Sequence, residues 1–195
     1  MLHIYTDGSA RKHGQIGGYG IVIFDNNNNL IDAYRGTVEN TTNNRMELSA
    51  ILKVFELLNT KYKNQQATIY SDSAYCINAL SSWIYTWSKN NWKNSKNITI
   101  ENYDLFLNLY KYYNIDFFMC QVKFEKVNGH SGVIGNELAD ALATGNSIKF
   151  SDIIIHNKYL SMFTSILLFI LVYFVSINII GSKCINIVSN IINTG

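Results

Sequence analysis

The sequence contains no proline, only three cysteines and no marked excess of charge of either sign. Its 195 residues include 16 basic and 14 acidic side chains, for a formal net charge of +2. Such a balance does not indicate nucleic-acid binding over the whole surface, so any basic patch must be local. Cys76, Cys120 and Cys184 lack C-x-x-C spacing. This excludes the usual zinc and disulfide patterns and fits a reducing compartment.

Charge is missing altogether from one segment, residues 159–182, which is dominated by Leu, Ile, Phe and Val. A helix needs about 20 apolar residues to cross about 30 Å of hydrocarbon. The run has no polar face, so we expect a transmembrane helix over 159–182 rather than a buried core helix. Its position excludes a signal peptide. The flanking lysines favour membrane anchoring with residues 1–150 on the cytoplasmic side: Lys149, Lys158 and Lys183. If the run is instead a spurious extension of the reading frame, the protein is cytoplasmic.

Hydrophobic periodicity predicts an α/β fold with a mixed five-stranded sheet flanked by helices. The predicted strands are 2–6, 19–24, 30–37, 67–71 and 121–127, and the predicted helices are 44–58, 73–80, 100–113 and 135–143. We expect one folded domain over 1–145, a linker over 146–158, the apolar helix over 159–182 and a short tail over 183–195. No internal repeat is visible.

Four carboxylates stand in distinctive sequence frames: Asp7 in Tyr-Thr-Asp-Gly-Ser, Glu47 in Asn-Arg-Met-Glu-Leu, Asp72 in Tyr-Ser-Asp-Ser and Asp140 in Asn-Glu-Leu-Ala-Asp. A single surface carboxylate is usually only solvated. Here, however, two follow predicted central strands, and strand ends are where α/β folds gather ligands. The other two lie on predicted flanking helices. Magnesium prefers oxygen ligands, and two such ions can hold both sides of a phosphate during displacement. The pattern indicates a phosphodiester-cleaving enzyme.

Several motifs in register resemble ribonuclease HI over residues 1 to about 145. They are Tyr5–Ser9, Gly17–Gly20, Thr41–Leu48, Ser71–Ser73, Asn128–Gly132 and Asn136–Asp140. The resemblance implies a ribonuclease H-like fold and an endonuclease that hydrolyses the RNA strand of RNA–DNA hybrids. It further implies two Mg²⁺ ions, with Mn²⁺ as a substitute, products with 5′-phosphate and 3′-hydroxyl ends, and a monomeric catalytic domain.

The resemblance also assigns roles to individual residues. The metal ligands would be Asp7, Glu47, Asp72 and Asp140, with Asp7 bridging the two ions. His130, between two glycines, would assist proton transfer or product departure, and Glu137 would tune metal or product release.

A second group of residues would bind substrate, because hybrid selectivity requires sensing 2′-hydroxyls on one strand only. The RNA strand would meet Gly8, Ser9, Asn43 and Asn44, and a DNA phosphate would meet Thr42 and Asn102. Lysines interleaved with Trp83, Trp87 and Trp92 resemble a basic protrusion that grips the hybrid: Lys89, Lys93 and Lys96. We expect Trp83 in the core. Arg45 either serves the substrate surface or forms a structural salt bridge.

The chain departs from the family pattern at three positions, which bear on affinity rather than on the class of reaction. Ile16 replaces a common proline, and Asn40 and Asn128 replace frequent basic residues. Two alternative functions remain, a non-catalytic hybrid-binding module and another nuclease of the same fold. The presence of all four carboxylates argues against the first, and the Asn-Arg-Met-Glu and Gly-His-Ser-Gly frames argue against the second. A membrane structural protein would account only for the apolar run.

Overall fold

A computed structural model describes residues 1–10, 16–113 and 121–146. Its centre is a five-stranded sheet with the spatial order β3-β2-β1-β4-β5. Strands β1, β2 and β3 are antiparallel neighbours, whereas β4 and β5 run parallel to β1. The strands are β1 Leu2–Ala10, β2 Gly17–Phe24, β3 Leu30–Val38, β4 Ala67–Ser71 and β5 Val122–Lys126. The predicted mixed sheet is therefore confirmed.

Within the described residues five α-helices accompany this sheet: α1 Asn43–Asn59, α2 Ala74–Asn78, α3 Ile84–Lys89, α4 Tyr103–Tyr113 and α5 Ile134–Thr144. Helix α1 begins one residue before the predicted start, and the Thr42 hydroxyl caps it by accepting a hydrogen bond from the backbone N–H of Arg45. The helix predicted over 73–80 is longer than expected. Between α2 and α3 the chain continues through Ala79–Trp83 as a wide π-helical turn.

Strand β1 does not end at Thr6 as predicted. Its parallel pairing with β4 stops at Thr6 opposite Ser71. The antiparallel pairing with β2 continues to Ala10 opposite Gly17. Because this second ladder still satisfies the backbone hydrogen bonds, Asp7, Gly8 and Ser9 lie within the strand. Strand β2 correspondingly begins at Gly17 rather than at residue 19 as predicted.

The two faces of the sheet carry different helices. On one face α1 buries Leu48, Ile51 and Phe55 at helical spacing against the sheet and against α4. Burial of each such side chain contributes about 1.5–3 kcal/mol. On the other face α5 packs on β1 and β2. A Cβ at Gly20 would lie 2.1 Å from the backbone oxygen of Ala139, so α5 lies against the strand backbone itself.

No helix in the described ranges combines the length and apolar character needed to cross a membrane. The transmembrane helix predicted over 159–182 and the tail predicted over 183–195 lie outside those ranges. The predicted linker over 146–158 also lies outside them, apart from Asn146.

Candidate active site

Three carboxylates from three elements converge at one edge of the sheet. Asp7 lies in β1, Glu47 in the second turn of α1, and Asp72 directly after β4. One oxygen from each lies within 4.8 Å of the other two. Asp7 and Glu47 are buried, with 8% and 7% of their surfaces exposed, whereas Asp72 is half-buried. Three of the four carboxylates singled out in the sequence thus form one cluster.

The close approach of α1 to β1 depends on Gly8. A Cβ at this position would lie 2.2 Å from the backbone nitrogen of Glu47, which is closer than any real contact. Only glycine therefore lets the first turns of α1 lie against the strand and bring the Glu47 carboxylate beside Asp7. The Asp7 carboxylate in turn accepts a 2.6 Å hydrogen bond from the Gly8 backbone N–H.

Burial and mutual repulsion make this cluster reluctant to ionise. Burial, followed by the charge of Asp72, raises the pKa of Asp7 to about 6. Burial, followed by the charges of Asp7 and Asp72, raises the pKa of Glu47 to about 9. The Ser71 hydroxyl lies 3.4 Å from Glu47 Oε2 and donates to it. A bound cation would offset this repulsion and favour the ionised forms of the carboxylates.

Asp140 approaches this cluster from the opposite face of the sheet, on α5. It is not one of the three mutually close carboxylates. Its charge nevertheless contributes to the raised pKa of Asp7, after burial and Asp72. Asp140 is therefore close enough to act on the charge of Asp7, but it lies outside the group of three close carboxylates.

The loop that carries His130 is attached to the same edge. A Cβ at Gly129 would lie 2.7 Å from Asp72 Oδ2, which places this backbone directly against the carboxylate. His130 is exposed and has a left-handed backbone conformation, with φ at +49°. Within the described residues no hydrogen bond holds its imidazole. The Glu137 carboxylate accepts a 3.3 Å hydrogen bond from the Gly132 N–H, so Glu137 anchors the loop rather than joining the carboxylate cluster.

The residues predicted to meet RNA lie next to the cluster. Gly8 and Ser9 are in β1, and Asn43 and Asn44 are exposed at the start of α1. Asn43 Oδ1 accepts a 2.6 Å hydrogen bond from the Ala10 N–H. This bond ties α1 to the end of β1 and turns the Asn43 side-chain N–H groups away from that contact.

The residues predicted to hold a DNA phosphate lie at the starts of two helices. Thr42 caps α1, and Asn102 immediately precedes α4, with its side-chain nitrogen donating to the Tyr75 hydroxyl at 3.2 Å. Arg45 forms a two-pronged ion pair with Asp104, at 2.9 and 2.6 Å. Of the two roles left open for Arg45, the structure thus has the salt bridge. The sequence analysis did not single out Tyr75 or Asp104. Asp104 lies two residues after Asn102, whereas Tyr75 lies 27 positions away and had no local signal.

The predicted basic protrusion extends from α3 into the segment before α4. Lys89 and Lys96 are exposed and Lys93 is half-buried. The segment is held by a bridge between Lys93 and Thr99 and by Asn94, whose side chain accepts from two backbone N–H groups. All three lysines are therefore carried on an ordered element.

The prediction that Trp83 lies in the core is wrong, because 40% of its surface is exposed. The π-helical turn shifts the register of the helix, so Leu80 and Ile84 are buried and Trp83 faces outward. Its ring lies 5.6 Å from that of Trp87 and 6.3 Å from that of Tyr75.

Comparison with known proteins places this architecture in a family. The sequence model described as RNase H matches residues 1–148. The chain belongs to the ribonuclease H family. The ribonuclease H of Caldicellulosiruptor saccharolyticus is 41% identical over 142 residues, covering 72% of this chain and 91% of that protein. The ribonuclease H of Orientia tsutsugamushi is 38% identical over 157 residues, covering 80% of this chain and 88% of that protein.

A solved structure gives the same result for the fold. LC11-RNase H1 aligns with a TM-score of 0.54 at 19% identity, covering 74% of this chain and 98% of that chain. This similarity concerns the fold alone. The family match and the curated relatives make this chain an enzyme of the ribonuclease H family, whose members are metal-dependent nucleases.

The donor atoms present suit the metal that a ribonuclease H requires. Asp7, Glu47 and Asp72 offer only carboxylate oxygens, the ligands of hard divalent cations. The nearby Cys76 does not change this, because it is fully buried and its burial raises the pKa of its thiol to about 12. Burial first, and neighbouring carboxylates second, raise the pKa values of Asp7 and Glu47, so a cation bound there would favour their ionised forms. The cluster therefore fits a divalent metal site.

Proposed function

We propose that this protein is an endoribonuclease that hydrolyses the RNA strand of RNA–DNA hybrids, leaving 5′-phosphate and 3′-hydroxyl ends. The observation that carries the proposal is the convergence of Asp7, Glu47 and Asp72, in a member of the ribonuclease H family. The substrate class is supported by LC11-RNase H1, whose structure is of a complex with an RNA/DNA hybrid. Asp140 and His130 complete the proposed catalytic residues.

The cofactor in this proposal is a pair of Mg²⁺ ions, for which Mn²⁺ can substitute. Asp7, Glu47, Asp72 and Asp140 would hold them, with Asp7 shared between the two. When bound, such ions activate an attacking water and neutralise charge on the leaving oxygen.

The chain's own residues provide the positioning on which phosphoryl transfer depends. Ser71 orients Glu47 through its hydroxyl. The loop held by Glu137 carries His130, and the Gly129 backbone of this loop lies against Asp72. In this proposal the exposed imidazole of His130 would move a proton at the departing group.

Substrate selection would come from the surface around the cluster. Gly8, Ser9, Asn43 and Asn44 would contact the RNA strand, where amide and backbone groups can meet 2′-hydroxyls. Thr42 and Asn102 would hold a phosphate of the DNA strand. The lysines at 89, 93 and 96 would add charge attraction to the duplex backbone. The chain as a whole is nearly neutral, so this local patch would carry most of the electrostatic attraction.

The test is to incubate the purified full-length chain with a labelled RNA–DNA hybrid, with and without magnesium. RNA–RNA and DNA–DNA duplexes serve as substrate controls, and Asp72→Asn is the matched protein control. We expect magnesium-dependent loss of the hybrid's RNA strand alone, and no loss with Asp72→Asn. Hybrid binding without cleavage would refute the proposal and favour a binding module, and cleavage of DNA would indicate another nuclease of this fold. Size-exclusion chromatography of the same sample tests the expectation of a monomer.

We further propose that residues 159–182 anchor the protein in a membrane, with the catalytic domain on the cytoplasmic side. The sequence supports this proposal, because residues 159–182 contain no charged side chain. This segment follows the residues that match the family model, 1–148. Deleting residues 151–195 should move the protein to the soluble fraction and retain hybrid cleavage. The double substitution Leu168→Lys and Val172→Lys keeps the length of the tail and should have the same effect on membrane association. A full-length chain found wholly in the soluble fraction would refute the anchor.

A further inference from the structure

Arg45 links the two residues proposed to hold a DNA phosphate. Its backbone N–H donates to the Thr42 hydroxyl at 3.4 Å. Its guanidinium donates from Nη1 and Nη2 to the two carboxylate oxygens of Asp104, at 2.9 and 2.6 Å. Asp104 lies in the first turn of α4, two residues after Asn102. One residue therefore connects the start of α1 to the start of α4.

The position of Asn102 depends on its surroundings at this junction. Its backbone has φ at +57°, a left-handed conformation that asparagine tolerates better than most residues. Its carbonyl accepts from the N–H groups of Leu105 and Phe106 at the start of α4. Its side chain is fixed by Tyr75. A movement of α4 relative to α1 would therefore move the Asn102 amide away from Thr42.

The guanidinium of Arg45 is already engaged in this structure. A planar guanidinium and a carboxylate form a geometrically specific pair when two parallel hydrogen bonds join them. The same hydrogen bonds lower the pKa of the Asp104 carboxyl, which is therefore ionised at neutral pH. A phosphate contact through Nη1 and Nη2 would have to break this pair. Arg45 is thus built to hold the two helices rather than to offer a free positive charge.

We propose that Arg45 and Asp104 are positioning residues for the DNA strand: their ion pair fixes the spacing between α1 and α4 so that Thr42 and Asn102 act on the same phosphate. This inference rests on the proposed function, because it assumes a hybrid substrate. It goes beyond that function by assigning an indirect role in substrate binding to a pair that does not itself touch the substrate.

The decisive variant is Asp104→Asn, because the two possible roles of Arg45 predict opposite signs. If the pair positions the phosphate pocket, losing it raises KM for the hybrid about three- to fivefold, the range expected for a partly exposed ion pair, at unchanged kcat. If Arg45 is itself a phosphate contact restrained by Asp104, freeing the guanidinium lowers KM. Arg45→Lys keeps the charge but loses the fork, and should raise KM to the same extent. The double variant should be no worse than either single one.

The matched control is Glu56→Gln. Glu56 pairs with Lys53 on α1 at 2.9 Å, with similar exposure, and the substitution changes the net charge by the same amount as Asp104→Asn. We expect KM to stay at the wild-type value in this control. Thermal melting of every variant checks that it is folded.

A substrate change then tests the assignment to one phosphate. Hybrids carrying a single neutral methylphosphonate at successive positions of the DNA strand should reveal one position where wild-type KM rises. In Asp104→Asn that rise should shrink or vanish, an effect that general loosening of the fold would not produce. An unchanged or lowered KM in Asp104→Asn, or an undiminished rise at that position, overturns the proposal. In parallel, Kd for the hybrid is measured in calcium buffer for the wild type and each variant. A wild-type chain that fails to cleave the hybrid refutes the proposed function. The change in Kd between wild type and Asp104→Asn then still decides the role of Arg45.

Discussion

Replacing Asp7 by Asn should make the metal-free protein more stable while abolishing its activity. The carboxylates of Asp7, Glu47 and Asp72 offer oxygens within 4.8 Å of one another. At that distance and an effective dielectric constant of about 20, two unit charges repel by roughly 3 kcal/mol. Burial and repulsion together, burial being the larger, raise the pKa of Asp7 from 3.8 to about 6, which corresponds to about 3 kcal/mol for the ionised side chain. For a chain of this size we expect Tm to rise by about 6–12 °C.

The pH dependence of this gain has a definite sign. The folded-state pKa of Asp7 is raised, so its contribution to stability is fully present below pH 3.8 and is lost as pH rises through about 6. Asparagine does not titrate. The Tm difference between Asp7→Asn and wild type should therefore be small at pH 4 and reach its full value above pH 7.

Thermal melting of the full-length chain, monitored by circular dichroism in mild detergent and EDTA at pH 4 and pH 7.5, measures this Tm difference. Magnesium at about one hundred times its Kd should stabilise the wild type by about 2.7 kcal/mol and nearly close the gap. A variant that is no more stable than wild type at pH 7.5 in EDTA would refute this reasoning. So would a stability gain that does not change with pH.

Three further predictions concern the surroundings of the cluster. Replacing Lys89, Lys93 and Lys96 together by Ala should raise KM. It should also reduce the slope of log KM against log salt concentration by about two to three, since each phosphate contact contributes about 0.9 to that slope. An unchanged slope over 50–200 mM salt would show that the three lysines do not contact the duplex. Gly8→Ala places a Cβ 2.2 Å from the Glu47 backbone nitrogen and would push Glu47 away from Asp7. We therefore expect kcat to fall by about a hundredfold or more and the free energy of unfolding to fall by about 1–3 kcal/mol. A fully active variant would contradict this reasoning. Glu137→Ala removes the acceptor for the Gly132 N–H and should lower kcat several-fold at constant Tm. Glu137→Gln keeps an acceptor oxygen and should retain most of the activity. Equal rates in the two variants would show that the Glu137–Gly132 hydrogen bond does not hold the His130 loop for catalysis.

The sequence predicted the sheet and its order of elements because both follow from local periodicity and capping. Thr42 caps α1, and the apolar spacing along α1 matches the face that the structure buries. The length of β1 could not be predicted in the same way. Asp7, Gly8 and Ser9 have the composition of a turn, and only pairing with the glycines of β2 keeps them in the strand.

Predictions about individual side chains were limited by register and by partners distant in sequence. The outward position of Trp83 follows from a π-helical turn that the residue pattern does not reveal. The pairing of Arg45 with Asp104 spans 59 positions, so the sequence could offer two roles but could not choose between them. The structure shows that the carboxylates of Asp7, Glu47 and Asp72 lie close together. Their catalytic roles, and those of Asp140 and His130, stay predictions for the assays above.

The contact between Gly20 and α5 suggests a way to engineer the active site. Gly20 lies directly opposite Asp7 across the β1–β2 ladder and supports the turn of α5 that precedes Asp140. A methyl group there would force α5 outward by on the order of 1 Å, a displacement large enough to alter catalysis strongly. The close approach of α5 to β2 thus depends on missing side chains, at Gly20 against Ala139 and at Gly18 against Ala143. Substitution of Gly20 by progressively larger residues would change the distance between Asp7 on β1 and Asp140 on α5 without altering either carboxylate.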